Sequence, residues 1–310
     1  MFAGSFRHKV GIRGKRDFSA SRRRYCESVG TISRFAMPEL PEVETIRREL
    51  KPRILNQRIK KCTVLRKDII AYPSLKKFCK SILNEEIVDV SRKAKYLILE
   101  LTNYKKLIFH LRLSGTMLVK NRRVKPEPFT RVIFRLDDCQ LFFNEPRVLG
   151  RIYLHMDDEN PGVPKGLYTL GYEPLSPEFD FAYLRGKLTG RKARIKSLLL
   201  DQRICAGVGN IYSDEALFHA GIRPLRKANR VTIEETFKLL FSLKKVLYNA
   251  IGNFGTSVSD YRRTDGLSGN FQNFLFVYSR ENKPCLVCGT RIVIKKIGNR
   301  STRYCPNCQK

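Results

Sequence analysis

Four cysteines close this chain, and their spacing leaves its last thirty residues few ways to fold. Cys285 and Cys288 form one C-x2-C pair, Cys305 and Cys308 another, with sixteen residues between the pairs. Four thiolates at that spacing suit one tetrahedral ion, and they close its coordination sphere, so one structural zinc is expected. The chain between the pairs must reverse. It predicts a β-hairpin over Ile292–Ile297 and Gly298–Tyr304, carrying Arg300 at its tip within reach of a phosphate. The other five cysteines, Cys26, Cys62, Cys79, Cys139 and Cys205, stand singly. An odd total with scattered members argues against a secreted disulfide framework and for a reducing compartment. Their default role is that of small hydrophobes.

Charge narrows the partner. Sixty Lys+Arg against 29 Asp+Glu give a net charge of +31 over 310 residues, enough chain for two domains with real cores. The basic residues run along the whole length, so a folded basic surface is implied, and nucleic acid is its leading partner. A ribosome-associated or anionic-membrane protein is the bland alternative. No apolar run approaches the ~18 residues of a membrane span. Residues 1–36 carry nine Arg/Lys and only Asp17 and Glu27 as acids. That extension reads as an organellar targeting peptide, a basic arm, or a stretch upstream of the true start.

A helix is readable from Pro41, with Glu42 and Glu44 at its positive end and Val43, Ile46 and Leu50 on one face. Short β-like runs follow at Lys60–Leu65, Ile87–Val90, Tyr96–Leu101, Lys106–Leu111, Arg131–Leu136, Gln140–Phe143 and Arg151–Leu154. Separated by turn-rich pieces, they predict an antiparallel sandwich or barrel. Gly and Pro mark a linker over Asp157–Pro177. Helices are expected at Phe181–Leu188, Ala193–Leu200, Ile211–His219, Ile233–Ile251 and Val258–Arg262, with a long mobile loop over Gly255–Asn270. The expected class is α+β: an N-terminal helix with an antiparallel β-sandwich (37–165), a helical domain (178–272) and a cysteine-organised hairpin (273–310).

Met37-Pro38-Glu39-Leu40-Pro41-Glu42 bears the chemistry. With Met37 removed, Pro38 would present a secondary amine beside two carboxyl groups, able to attack an electrophilic carbon and form an iminium. A free α-amino group has a pKa of about 7.7–8.0, so much of it is neutral near pH 7. With residues 1–37 attached, the same nitrogen is a tertiary amide and inert. Gly207-Val208-Gly209-Asn210 is a glycine turn feeding a helix, an anion site by its backbone N–H groups and Asn210. Arg191, Lys192, Arg194 and Lys196 just upstream strengthen that reading against a merely solvated helix face. Lys95 opens a strand and matters only if that strand abuts Pro38. His110, on an apolar strand, reads as a satisfied core histidine. No Ser/His/Asp pattern supports a hydrolytic triad.

In order, MPELPEVET, the KYL lysine, HLRLSG, EPR-x-x-G, LLLDQ…GVGNIYSDEALF and the four-cysteine finger resemble bacterial formamidopyrimidine-DNA glycosylase, from Met37 to Lys310. The resemblance makes GVGNIYSDEALF part of a helix–two-turns–helix element. It implies a base-excision-repair enzyme acting on double-stranded DNA, excising oxidised purines (8-oxoguanine, formamidopyrimidines) and nicking the abasic strand by β,δ-elimination. By it, Pro38 is the nucleophile, Glu39 the general acid and Glu42 its neighbour in proton exchange. Lys95 assists β-elimination and Arg300 δ-elimination, while Asn210, Arg191 and Lys196 hold phosphates. The 255–271 loop closes over the extruded base. A monomer in the bacterial cytoplasm is expected, or an organellar protein if the extension is a targeting peptide.

Three departures qualify that pattern. Leu113 stands where the family usually has an intercalating Met. Arg147-Val148-Leu149 follows Glu145-Pro146 where Arg-Arg-Phe follows Asp-Pro, and Phe129-Thr130-Arg131-Val132 replaces a usual His. Leu113 and Leu149 remain apolar wedges and Arg147 remains able to face the estranged base, but opposite-base preference is left open. The alternatives are an endonuclease VIII-like enzyme for oxidised pyrimidines, or a non-catalytic DNA-binding protein if the extension is retained. The expected working enzyme lacks the Met37–Pro38 bond, most simply because translation starts at Met37 and that Met is removed.

Overall fold

A computed structural model describes residues 37–156, 162–258 and 260–310. The extension with Cys26, and residues 157–161 of the expected linker, lie outside the described residues. Helix α1 spans Leu40–Ile54, with Pro41 in its first turn. Glu42 reaches back to accept the Glu39 backbone N–H at 2.8 Å, satisfying a donor that the helix cannot. The helix buries Leu40, Val43, Ile46, Leu50 and Ile54.

Strands β1 (Lys61–Val64) and β2 (Ile70–Tyr72) lead into helix α2 (Leu75–Ile82). Then follow β3 (Ile87–Lys93), β4 (Tyr96–Leu101), β5 (Lys106–His110), β6 (Thr116–Asn121), β7 (Thr130–Arg135), β8 (Cys139–Asn144) and β9 (Arg151–His155). They form a four-stranded sheet, β1-β7-β8-β6, and a five-stranded one, β2-β9-β5-β4-β3. Every pairing is antiparallel except β2–β9. Alternation along each strand sends Leu97, Leu107, Phe109 and Leu154 from one sheet, and Met117, Val132, Phe134 and Phe143 from the other, into one core with α1. Phe109 meets Phe134 and Phe143 edge-on at 5.9 Å. Each such side chain contributes about 1.5–3 kcal/mol by leaving water.

The second core is helical. Helices α3 (Lys165–Tyr168), α4 (Phe181–Leu188), α5 (Ile195–Leu200), α6 (Asn210–His219) and α7 (Ile233–Gly252) precede the hairpin β10 (Val293–Ile297) and β11 (Arg300–Tyr304). Asp180 caps α4 by accepting from Tyr183 N at 2.7 Å. Thr232 and Glu235 form a reciprocal capping box on α7. Among the described residues, no helix is long and apolar enough to cross a membrane.

The structure differs from the sequence expectation in three places. β2, β6, α2 and α3 have no counterpart in that expectation, and α3 falls inside the expected linker; β2 and α3 are only three and four residues long, and α2 and β6 mix lysine or polar residues with apolar ones. Helix α5 starts at Ile195 because Arg194 bridges to Lys227 as extended chain. The described residues of the expected helix at Val258–Arg262 are not helical. Tyr261 is drawn into the sandwich core, and Ser257 Oγ donates to its carbonyl at 3.0 Å, which holds the chain open.

Candidate active site

The glycine turn before α6 does bind an anion, but the anion belongs to the protein. Glu39 accepts Gly209 N–H at 2.7 Å and Ile211 N–H at 3.0 Å. Leu40 N–H donates to Gly207 O at 3.0 Å, locking the N-terminal segment onto the same turn. This close approach explains the glycines: a Cβ on Gly209 would stand 2.5 Å from Glu39 Cδ, and Gly207 also holds φ +87. Burial pushes the Glu39 carboxyl up to about 7, against the pull of Lys95 and the two N–H donors.

Glu42 lies beneath it, also fully buried. Its carboxylate accepts from the Tyr212 hydroxyl, from Thr256 N–H at 2.7 Å and from Glu39 N–H. Tyr212 Oη and Thr256 Oγ1 are themselves 3.0 Å apart. Three segments, α1, α6 and the start of the 255–270 loop, therefore converge on one carboxylate. Burial raises its pKa, and the Tyr212 bond is the main opposing influence.

Lys95 does not begin a strand; it follows Ala94 (φ 51) in the tight turn between β3 and β4. The turn delivers its ammonium, buried, to the same place. Desolvation lowers its pKa and Glu39 partly restores it. A cavity of about 230 Å³ is lined by Met37, Glu39, Lys95, Gly209, Asn210 and Arg300, among others. Pro38 is buried between the first two of these. Arg300 opens β11 opposite Ile297, on the finger hairpin. Asn210 donates to Ser301 O at 3.0 Å, and its Oδ1 is buried without a partner among the described residues.

Lys196 is a correction. Its side chain is fully buried, with Nζ 2.6 Å from Asp214, 3.0 Å from Thr302 Oγ1 and 3.3 Å from Ser301 O. It ties α5 and α6 to the finger and cannot touch a phosphate. Arg191 is exposed. His110 is buried as expected, yet its Nδ1 has no partner among the described residues, so it is not satisfied. Burial, with Arg112 and Lys95 nearby, holds its pKa down to about 3, and the ring is neutral.

Leu113 and Leu149 sit on the β5–β6 and β8–β9 loops, half-buried and 42% exposed respectively. Glu145, buried, joins the loops by accepting from Ser114 Oγ on one and from Arg147 N and Gly150 N on the other. Arg147 is 3.3 Å from Asp260. Sequence reasoning named neither Glu145 nor Tyr212 as a site residue. Both lay inside quoted motifs, EPR and GVGNIYSDE, where an acid beside a turn and a phenol on a helix were the available signals.

The four cysteines of the finger fit zinc. Their sulfurs lie within 4.8 Å of one another. Cys285 and Cys308 are 3.9 Å apart, Cys288 and Cys305 3.5 Å, where tetrahedral Zn–S bonds of about 2.3 Å imply about 3.8 Å. Val287 N and Cys308 N each donate to a sulfur at 3.4 Å, as suits thiolates. These residues hold one structural zinc.

Comparison with known proteins places this geometry. Residues 37–152 match the formamidopyrimidine-DNA glycosylase N-terminal domain, 170–262 the H2TH domain of the same enzyme, and 282–310 the zinc finger found in FPG and IleRS. The formamidopyrimidine-DNA glycosylase of Pelotomaculum thermopropionicum is 44% identical over 275 residues, covering 88% of this chain and 99% of that protein. That of Carboxydothermus hydrogenoformans is 38% identical over 88% of this chain and 100% of its own length. The crystal structure of MutM (Fpg) from Thermus thermophilus superposes with a TM-score of 0.79 at 37% identity, covering 88% of this chain and 98% of that one. Lactococcus lactis Fpg, in a complex with DNA containing an abasic site, gives 0.81 at 34%, covering 88% and 99%. The chain belongs to the formamidopyrimidine-DNA glycosylase family.

Proposed function

We propose that this protein is a DNA glycosylase and abasic-site lyase of base excision repair, acting on oxidised purines through Pro38. One observation carries the reading: a carboxyl held at about 7, on the residue after Pro38, shares a cavity with Lys95 and Arg300. That is an acid poised to donate near neutral pH, beside cations suited to phosphates.

The target nucleotide is first extruded, at a cost of a few kcal/mol that is smaller for a damaged pair. The Pro38 nitrogen attacks C1′, forming a C–N bond as the base leaves with its bonding pair, and the Pro38 N–H proton passes to the departing base. Glu39 protonates the ring oxygen as the C1′–O bond breaks, leaving an iminium. Loss of a C2′ proton then expels the 3′ phosphate, with Lys95 assisting, and a second elimination toward Arg300 expels the 5′ phosphate. Asn210 and Arg191 hold the backbone without reading sequence. Leu113 and Leu149 wedge the gap, and Arg147 faces the estranged base. The 255–271 loop, whose Thr256 N–H already binds Glu42, covers the extruded base.

All of this requires Pro38 to carry a free amine. The family match beginning at residue 37 supports a working form whose first residue is Pro38. Borohydride should trap a covalent adduct between damaged duplex and protein starting at Pro38, and none with the chain beginning at Met1. An adduct with the intact chain, or none with either, overturns the assignment. Faster excision of thymine glycol than of 8-oxoguanine would instead favour the pyrimidine-directed reading.

A further inference from the structure

The outer face of the five-stranded sheet carries an aromatic surface that the Glu39 cavity does not use. Tyr72 is paired with Tyr153 across β2–β9, and Tyr96 with His110 across β4–β5. Strand alternation turns Tyr96, His110 and Tyr153 away from the core that takes Phe109 and Leu154, and a register shift in β2 after Ile70 sets Tyr72 beside Tyr153 rather than with Ile70 against that core. The Tyr96 and His110 rings lie 4.6 Å apart. Together with Tyr168 of α3, Tyr72, Tyr96 and Tyr153 line a cleft of about 740 Å³, to which Arg112 and Lys165 add cations. Among the described residues, no acidic side chain lines it.

Position gives this cleft meaning. Tyr96 directly follows Lys95 of the active-site cavity, and Arg112 directly precedes Leu113 of the wedge loop, so each of these cleft residues is one step along the chain from the duplex-binding machinery. Tyrosines on a sheet face, interleaved with cations, are a chemistry that stacks bases and tracks a phosphate backbone. Bases inside a duplex are already stacked on one another and cannot enter such a cleft. Its volume suits a ligand of nucleotide size.

We propose that this cleft binds unpaired nucleotides of single-stranded DNA contiguous with the damaged duplex, and so extends the enzyme's footprint beyond the paired region. The proposal rests on the DNA-binding reading above but not on catalysis at Pro38. A repair substrate with a frayed or gapped flank would then be held more tightly than an intact duplex.

The test is fluorescence anisotropy with the full chain on an abasic-analogue duplex, either blunt or carrying a short thymidine overhang at its 5′ or 3′ end. One overhang should tighten binding about tenfold, the scale of one base stacked on an aromatic ring. Tyr72→Ala with Tyr153→Ala should erase that gain while leaving blunt-duplex affinity within about twofold, and Tyr153→Phe should keep it. Should the double variant fail to fold, Tyr168→Ala serves, since that side chain is 57% exposed, and it should cut the gain about threefold or more. No gain from either overhang, or a gain that survives these substitutions, overturns the proposal. Loss of blunt-duplex binding in the unmodified protein would instead overturn the DNA-binding reading.

Discussion

Replacing Lys196 with Met separates two roles for this residue, a phosphate contact and a buried strut. Lys196 and Asp214 are each fully buried, with Nζ and Oδ1 2.6 Å apart. Removing one member of such a pair leaves an uncompensated buried charge and costs about 3–5 kcal/mol, a factor of about 150 or more in the folded-to-unfolded ratio. Burial already raises the Asp214 pKa, and Lys196 is the main influence opposing it. Without the lysine it rises further above the unfolded value of about 3.9. A carboxyl whose folded pKa is raised destabilises fully above that pKa and progressively less as pH falls toward the unfolded one. The deficit of Lys196→Met should therefore be largest at pH 8 and shrink by pH 5.5. Urea unfolding of the zinc-loaded protein at both pH values measures this. Adding Asp214→Leu should recover much of the loss. The salt dependence of DNA binding should keep its slope. A loss below about 1 kcal/mol together with a slope reduced by about one would refute the strut and restore the phosphate contact.

Three further outcomes are expected. Glu39→Gln, tested on protein starting at Pro38, should slow single-turnover base excision by about 10²–10⁴ by removing the acid. The amide also sets an NH2 against one of the two N–H donors of Gly209 and Ile211, so stability should fall by about 1–3 kcal/mol. Cys305→Ser should release zinc and weaken DNA binding, because Arg300 and Ser301 lose their platform; a chromogenic chelator and anisotropy read the two effects, and unchanged affinity would remove the finger from the binding account. Glu215 accepts from Phe276, Val277 and Tyr278 N–H, and burial pushes its carboxyl up to about 7 from 4.5. In that window the folded state keeps a proton the unfolded chain has lost, so its contribution falls as pH rises from 4.5 to 7 and is level above. Glu215→Gln should flatten that stretch of the stability profile, as urea midpoints at pH 5 and pH 7.5 would show.

Short-range signals were legible from the residues alone. The cysteine spacing is local chemistry, and the sulfurs meet as the four-thiolate pattern requires. The helical stretches of α4 and α7 were placed closely, because helical periodicity is a property of residues three or four apart, and caps of the same reach fix their starts in the structure. Short β-like runs between turn-rich pieces identified most of the sandwich for the same reason. Lys95 and Lys196 show where this stops. Both are lysines in basic stretches, and nothing within a few residues of either says that one enters the cavity while the other pairs with Asp214. The deciding contacts span long separations: Glu39 meets Gly209 across 170 residues, and Lys196 meets Thr302 across 106. Propensity and spacing act over a turn or two, whereas burial depends on which surfaces the packed cores bring together. The chain by itself therefore determined its zinc finger, its sandwich and the motif at Pro38. Only the tertiary structure decided that the glycine turn holds Glu39 rather than a phosphate, because only there do the two segments exclude water from each other.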